Sequence, residues 1–216
     1  MIIGMLDLIR GDEMKLIYAT KNNAKIQHMK EMLKGTTFKV SGLNEININL
    51  KEPLEDGLTP LENAIKKAKG YYKQIKQPVY STDSALFFEG VDDIDQPGVF
   101  IKRINVEALS GRDFQHYYMK IAKKYGGKLT AYYKNAICVV IDENTIYTHD
   151  GADICSEKFY IVDKPHSRFD AGFPLDSLSI EIESGNYYYD IKDYTSKGDM
   201  DNGFKSFFKR LEKEFN

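Results

Sequence analysis

The sequence is poor in the features that mark several large classes of protein. Its 216 residues contain two cysteines, no tryptophan and no long uncharged apolar run. Cys138 and Cys155 form no CxxC motif and no spacing typical of a disulfide framework, so we expect small buried thiols rather than a disulfide or a metal site. The longest apolar run is far too short for a membrane span, which predicts no membrane partner. A net charge of −2 indicates no general affinity for nucleic acid.

The first thirteen residues, MIIGMLDLIRGDE, are a poor match to a secretory signal. They lack a basic leading segment and contain the acids Asp7, Asp12 and Glu13. Met14 directly precedes the first predicted strand. We therefore interpret residues 1–13 as an N-terminal arm and predict a cytoplasmic protein.

The apolar periodicity predicts strands and helices in mixed order. Strands are predicted at 15–20, 37–43, 46–50, 78–88, 129–141, 146–154, 159–162, 179–183 and 187–191. Helices are predicted after Asn22 or Asn23, after Thr59, after Ser110 or Asp113, and from Asp201. This order predicts an α/β fold with a mixed, twisted sheet flanked by helices. We expect residues 14–216 to form one domain of two lobes around a central cleft, with the second lobe at roughly 100–162.

The helix after Thr59 has the clearest start. Thr59 is a good N-cap, Pro60 suits the first helical position, and Glu62 completes a capping box. Leu61, Ala64, Ile65 and Ala68 follow as a buried stripe.

A short polar turn, TKNNAK at 20–25, lies between the first strand and the first helix. The N-terminus of a helix presents backbone N–H groups and the positive end of the helix dipole, a geometry that suits phosphate. Lys25 in the first turn would add a positive charge. The alternative is an ordinary capped helix with a solvated lysine. The turn is not a Walker loop, because the Gly-x-x-x-x-Gly-Lys pattern is missing.

Two carboxylates are candidates for chemistry. Asp83 stands in the apolar strand PVYSTDSALFF, where a lone charge is costly unless it is paired, solvated or bound to a metal. Glu55 precedes a turn at Gly57, and its alternative is a solvated turn residue. Brought together beside a phosphate turn, they would form a magnesium site completed by water and phosphate oxygens. One of them would otherwise act as the general base for a water molecule.

Two further lysines are candidates for holding phosphates. Lys67 lies on the helix after the capping box, and Lys102 follows the Pro97-Gly98 turn. The alternative for each is a solvated surface lysine. The four histidines show no zinc pattern, and Ser84 lacks the Gly-x-Ser-x-Gly elbow of a serine hydrolase.

Four motifs occur in one order over residues 15–104: A-T-x-N-x-x-K, E-x-G-L-T-x-x-E-N-A-x-x-K-A, D-S-x-L and P-G-V-F. This arrangement resembles the inosine triphosphate pyrophosphatase family, the Ham1-like house-cleaning enzymes. The resemblance implies hydrolysis of non-canonical purine nucleoside triphosphates to the monophosphate and pyrophosphate, with Mg²⁺. It also implies a homodimer with a nucleotide substrate.

The resemblance implies a role for each matching residue. Thr20, Asn22 and Lys25 would form the phosphate turn, Glu55 and Asp83 would hold the metal, Asp83 would also act as base, and Lys67 and Lys102 would bind phosphates. Phe173 is our candidate for stacking on the base.

The chain departs from the family pattern at several positions. His28 stands where a glutamate is usual, and Thr82 and Ala85 change the usual Asp-Asp-Ser-Gly. The Phe-Gly-Tyr/Trp-Asp-Pro signature is replaced by 169–176, FDAGFPLD, and Asp201-Asn202-Gly203 stands near the usual Ser-His-Arg. These departures leave two alternatives open: a binder of phosphorylated ligands with weak or no turnover, and a pyrophosphatase for modified pyrimidine nucleotides, like the Maf-like proteins.

Overall fold

The computed structural model of the protein contains nine strands among the residues that it describes. The structure describes residues 13–101, 103–104, 107–108, 111–171, 173–191 and 198–215, with the backbone alone at 103–104, 107–108 and 198–199. The strands are β1 (Met14–Tyr18), β2 (Phe38–Gly42), β3 (Val79–Phe88), β4 (Arg103–Ile104), β5 (Glu107–Ala108), β6 (Lys128–Val140), β7 (Ile146–His149), β8 (Phe159–Val162) and β9 (Ser179–Glu181).

Four helices occur among the described residues. They are α1 (Asn23–Met32), α2 (Pro60–Ile75), α3 (Gly111–Lys124) and α4 (Gly198–Phe215). Thr59 caps α2 as predicted, since its hydroxyl accepts a hydrogen bond from the N–H of Glu62 at 3.2 Å. The predicted capping box is wrong, because the Glu62 carboxylate accepts from the N–H of Leu58 at 2.7 Å and not from that of Thr59. The side chain of Asn22 caps α1.

Seven strands form one mixed sheet. Its order is β2-β1-β3-β6-β8-β9, with β7 paired to β6, and β4 and β5 form a separate hairpin. β1 runs parallel to β2 and β3, whereas β6 runs antiparallel to β7 and β8. The predicted α/β fold with a mixed sheet and flanking helices is therefore confirmed.

Two of the predicted strands are wrong, and a third is too long. Residues 46–50 form an irregular segment, and residues 188–190 form a 3-10 turn instead of a strand. The predicted strand at 146–154 ends at His149, after which residues 152–154 form a 3-10 turn. In each case β-branched and aromatic residues suggested a strand where packing against neighbouring elements favoured another conformation.

The chain divides into two compact units and passes between them four times, after Asp83 in β3, after Lys134 in β6, after Ile154 and after Gly198. Unit 1 consists of the described residues in 13–83, 135–154 and 199–215. Unit 2 consists of those in 84–134 and 155–198. The predicted lobe boundaries, and the cleft between the lobes, stay predictions.

Unit 1 buries apolar residues on both faces of its strands. Alternate residues of β1 point to opposite faces, so Leu16 and Tyr18 pack with α1 and α4 while Ile17 packs with α2. Within the first cluster, Phe208 is fully buried, and its ring meets those of Phe38 and Tyr80 edge-on at 5.5 and 5.6 Å.

Unit 2 has one apolar cluster, formed by α3 and the strands beside it. Phe114, Tyr118 and Ile121 of α3 pack against Leu86 of β3 and Phe159 of β8. Gln115 is buried as well, and its amide donates a hydrogen bond to the Ser177 hydroxyl at 2.6 Å.

The two cysteines lie in different environments. Cys138 is fully buried, which raises the pKa of its thiol to about 12. Cys155 is half-buried, so the prediction of a buried thiol is wrong for this residue, because it lies in a bend after the 3-10 turn rather than in a strand. No disulfide joins them. Within the described parts of the chain, no helix is both long and apolar enough to cross a membrane.

Candidate functional site

The turn at the start of α1 is held by its own side chains. The Asn22 side-chain Oδ1 atom accepts hydrogen bonds from the N–H groups of Ala24 at 2.9 Å and Lys25 at 3.3 Å. The Thr20 hydroxyl accepts one from the N–H of Asn22 at 3.2 Å. The predicted phosphate turn is therefore a capped turn, in which a phosphate would compete with the Asn22 side chain for two of the N–H groups.

Glu55 is held in place by a loop that is fastened along one face of α2. We call residues 51–57 the strap. Its contacts fall on Asn63, Lys67, Gly70 and Gln74, which recur every three or four residues and therefore share one helix face.

The contacts of the strap are specific. The Gly57 N–H donates to the Asn63 side chain at 2.7 Å, and the Lys51 N–H donates to the Gln74 side chain at 2.8 Å. Pro53 lies so close to Gly70 that a methyl group there would lie 2.6 Å from the proline ring. This face of α2 therefore requires a glycine at position 70.

The strap brings Glu55 to Lys67. The Glu55 carboxylate lies 2.9 Å from the Lys67 ammonium, and the two side chains keep only 20% and 17% of their surface exposed. A pair this well shielded is screened less by salt than a surface pair. Asp83 lies half-buried on β3, beyond the registered pairing of β1 with β3, and its Oδ2 atom has no contact with solvent.

Lys25 connects these groups electrostatically. Desolvation and the neighbouring Lys67 charge lower the pKa of Lys25, while Asp83 and Glu55 act in the opposite direction. The residue nevertheless keeps an exposed surface. The structure thus brings together Lys25, Glu55, Lys67 and Asp83, which come from α1, the strap, α2 and β3; we call these four residues the charged cluster.

Two other predicted site residues are not part of the charged cluster. Lys102 lies outside the described residues. Phe173 belongs to unit 2, where it is half-buried and its N–H donates to the Asp170 carbonyl at 3.2 Å. The roles of both residues, and of those in the charged cluster, stay predictions.

Sequence reasoning missed the contact between α1 and α4 within unit 1. The His28 Nε2 atom lies 3.2 Å from Asp201 Oδ1, so α1 and α4 are linked by a side-chain pair. Both residues had been noted only as departures from the family pattern. Their separation of 173 positions left no local signal that they would meet.

A shallow cavity of about 440 Å³ lies on unit 2. Its lining includes Lys128, Asp163, Lys164 and Tyr187, and none of the predicted site residues that the structure describes. We therefore centre the candidate site on the charged cluster, which combines cations and carboxylates, rather than on this cavity.

The amino-acid sequence is similar to one protein family and to several named proteins. Residues 16–169 match the Ham1 family. Over 100 residues the chain is 36% identical to a dITP/XTP pyrophosphatase of Aquifex aeolicus, a match that spans 46% of each chain. It is 32% identical over 129 residues to a dITP/XTP pyrophosphatase of Thermoanaerobacter pseudethanolicus, with 59% of this chain and 63% of that protein covered. The chain thus spans between about half and two-thirds of the length of these relatives.

A solved structure agrees on the fold. A Ham1 protein from Coxiella burnetii superimposes with a TM-score of 0.70 over 91% of this chain and 99% of its own, at 19% identity. The match to the family, over residues 16–169, covers the strap, the charged cluster and part of each unit. From its fold and its sequence together, the chain belongs to the Ham1 family.

Proposed function

We propose that this chain is a nucleoside triphosphate pyrophosphatase that acts on non-canonical purine triphosphates and releases a monophosphate and pyrophosphate. The observation that carries the proposal is the charged cluster, in which Lys67 pairs with Glu55 and the charges of Lys67, Asp83 and Glu55 act on Lys25. Relatives named dITP/XTP pyrophosphatase support the substrate class. Because their matches are partial, activity and substrate are proposed rather than transferred.

The carboxylates of the cluster fit a magnesium ion. Mg²⁺ prefers one or two protein carboxylates together with water and phosphate oxygens, and Glu55 and Asp83 supply that set. The parts of the chain that the structure describes contain no group of three or more histidine, cysteine, aspartate or glutamate residues able to hold a metal. When bound, Mg²⁺ would neutralise charge on the phosphate oxygens.

The side chains divide the remaining work. Asp83 accepts a proton from the attacking water, whose oxygen forms a bond to the α-phosphorus. The bond from the α-phosphorus to the bridging oxygen breaks, and pyrophosphate leaves with that oxygen. Lys25 and Lys67 bind the phosphate tail through charge-assisted hydrogen bonds, and Lys67 does so while paired with Glu55.

A panel of triphosphates tests the proposal. The purified protein is incubated with Mg²⁺ and the triphosphates of inosine, deoxyinosine, xanthosine, the four common bases and modified pyrimidines, and pyrophosphate is measured. We expect release from the non-canonical purines and its loss when EDTA removes the metal. Absence of pyrophosphate with every substrate would contradict the proposal, and release from pyrimidines alone would favour the Maf-like alternative.

One observation favours the alternative of a binder without turnover. Positions 28 and 82, where the family usually has acids, are occupied by a histidine and a threonine that make side-chain contacts of their own. Thermal stabilisation by triphosphates without any pyrophosphate release would support that alternative. The homodimer, the absence of nucleic acid as a partner, and the cytoplasmic location stay predictions.

The lowered pKa of Lys25 predicts a pH dependence. Lys25 loses its charge at a lower pH than an ordinary lysine. If its charge holds the phosphate tail, 1/KM should fall as the pH rises through this lowered pKa. Lys25→Arg keeps its charge throughout, because a guanidinium does not deprotonate in proteins. The alkaline fall in 1/KM should therefore disappear in this variant, whatever its absolute KM.

A matched variant controls for the general effect of an arginine on α1. Lys30→Arg lies on the same helix, where Lys30 pairs with Glu45 at 3.3 Å, away from the charged cluster. Its pH profile should match that of the wild type. An unchanged alkaline fall in Lys25→Arg would show that another group is responsible.

A further inference from the structure

Two hydroxyl groups meet at the end of β1. The Tyr18 hydroxyl lies 2.7 Å from the Thr82 Oγ1 atom, and either of them could be the donor. Tyr18 is 4% exposed, whereas Thr82 is half-buried. Tyr18 is registered with Tyr80 of β3, so Thr82, two residues further along, lies on the same face of the sheet, beyond the end of β1.

The surroundings of Tyr18 favour one direction for this hydrogen bond. Burial raises the pKa of Tyr18, so the hydroxyl stays protonated, while the Thr82 hydrogen bond and the Lys67 charge act to lower it. A nearby ammonium attracts the lone pairs of the phenol oxygen and repels its proton. A buried phenol proton needs an acceptor, and among the described residues Thr82 Oγ1 lies within hydrogen-bond distance of it. Tyr18 therefore donates, and the Thr82 proton is left for another acceptor.

The charges of the cluster indicate what that acceptor is. Lys25 and Lys67 balance Glu55 and Asp83, so a further carboxylate at position 82 would give the cluster a net negative charge toward a triphosphate. A hydroxyl at this position adds a hydrogen-bond donor without adding charge. Thr82 also directly precedes Asp83 in the chain.

We propose that Tyr18 is a positioning residue that orients the Thr82 hydroxyl as a donor to a phosphate oxygen of the bound triphosphate. This rests on the proposed function, since it names a further contact in the same site. Thr82 would touch the substrate directly, and Tyr18 would act only through Thr82.

The chain contains a matched control for Tyr18. The ring of Tyr80 stacks on that of Tyr18, with centroids 4.4 Å apart and planes inclined by 13°. Tyr80 is fully buried, and its hydroxyl makes no hydrogen bond in the described part of the molecule. Tyr80→Phe therefore removes a hydroxyl from the same stack without touching the Tyr18–Thr82 pair.

The experiment measures binding and turnover for five variants: Tyr18→Phe, Thr82→Val, Thr82→Ser, the double variant Tyr18→Phe/Thr82→Val, and Tyr80→Phe. The binding probe is inosine triphosphate with a methylene group between its α- and β-phosphates, in the presence of Mg²⁺. Thr82→Val should weaken binding about tenfold or more, because it removes a hydrogen bond to a charged group. Tyr18→Phe should weaken it about three- to tenfold, since orientation is lost but the donor remains. Thr82→Ser and Tyr80→Phe should bind as the wild type does.

The double variant separates positioning from a purely structural role. Thr82→Val leaves the Tyr18 hydroxyl buried without an acceptor and should lower the unfolding temperature, whereas removing both hydroxyls should largely restore it. If the pair acts on the ligand, the double variant binds no better and no worse than Thr82→Val. Recovery of binding together with stability would overturn the proposal. So would additive losses, or wild-type binding by Tyr18→Phe and Thr82→Val.

The test of the hydroxyl pair can fail independently of the test of pyrophosphatase activity. Wild-type protein that binds the probe but hydrolyses no triphosphate would refute the pyrophosphatase, while the ranking of the variants in binding would still support or overturn the hydroxyl pair. Wild-type protein that neither binds nor hydrolyses would refute both.

Discussion

Replacing Asp83 with asparagine is expected to reduce turnover of the preferred triphosphate by about a thousandfold, within the range typical for loss of a general base. Asparagine has nearly the same shape as aspartate, but it cannot accept a proton from water at neutral pH. Asp83 is half-buried on β3 and close enough to Lys25 to influence its pKa. The measurement is kcat for pyrophosphate release at saturating substrate and Mg²⁺, together with the thermal unfolding temperature.

Asp56→Asn is the control for this change. Asp56 adjoins Glu55, but its carboxylate points to solvent and pairs with Lys66 at 2.6 Å. This variant should keep its kcat and its unfolding temperature, since exposed ion pairs contribute little. A wild-type kcat in Asp83→Asn would remove the assignment of Asp83 as base, and unfolding of that variant would make its kcat uninformative.

The second large effect is expected in the core. Phe208→Ala should destabilise the protein by about 3–5 kcal/mol, the range typical of a buried phenylalanine truncated to alanine. The ring is fully buried and meets the rings of Phe38, Tyr80 and Phe207 at 5.3–5.6 Å. Because the Phe208 ring meets that of Tyr80, on which Tyr18 stacks, the cavity would border this aromatic stack. Urea unfolding measures the change.

Phe215→Ala serves as the comparison on the same helix. Phe215 is only partly buried and meets the ring of Tyr147 at 5.9 Å. Its loss should cost less than half as much as the loss of Phe208, because less apolar surface leaves water on folding. Equal losses for the two variants would contradict the packing described for α4.

Local signals in the sequence predicted where a helix begins when its first residues include a clear N-cap. Thr59 and Pro60 place the start of α2, because capping depends on neighbours within one turn. The segment 46–50 was misjudged because its alternating isoleucines favour a strand, while nothing in that segment indicates that the next residues are fastened along α2. Strand pairing and strap contacts depend on distant residues, which local patterns do not contain.

The charged cluster was foreseeable only in part. The order of the motifs indicated that Lys25, Glu55, Lys67 and Asp83 belong together, but it did not indicate that Lys67 pairs with Glu55. The pairs His28–Asp201 and Tyr18–Thr82 join residues 173 and 64 positions apart. Each depends on how α1, α4 and the strands pack, so no single stretch of sequence predicts them.

The strap has a consequence for the chain lengths that relatives can tolerate. Each residue of an α-helix turns the side chain that follows it by about 100°. An insertion of one residue in α2 between Asn63 and Lys67 would therefore rotate the later contact positions away from the strap. The ion pair between Glu55 and Lys67 would then be lost. A similar insertion near residue 48, where the backbone is irregular, would lengthen only the approach to the strap. Insertions and deletions among related chains should thus occur before position 51 and be absent from the middle of α2.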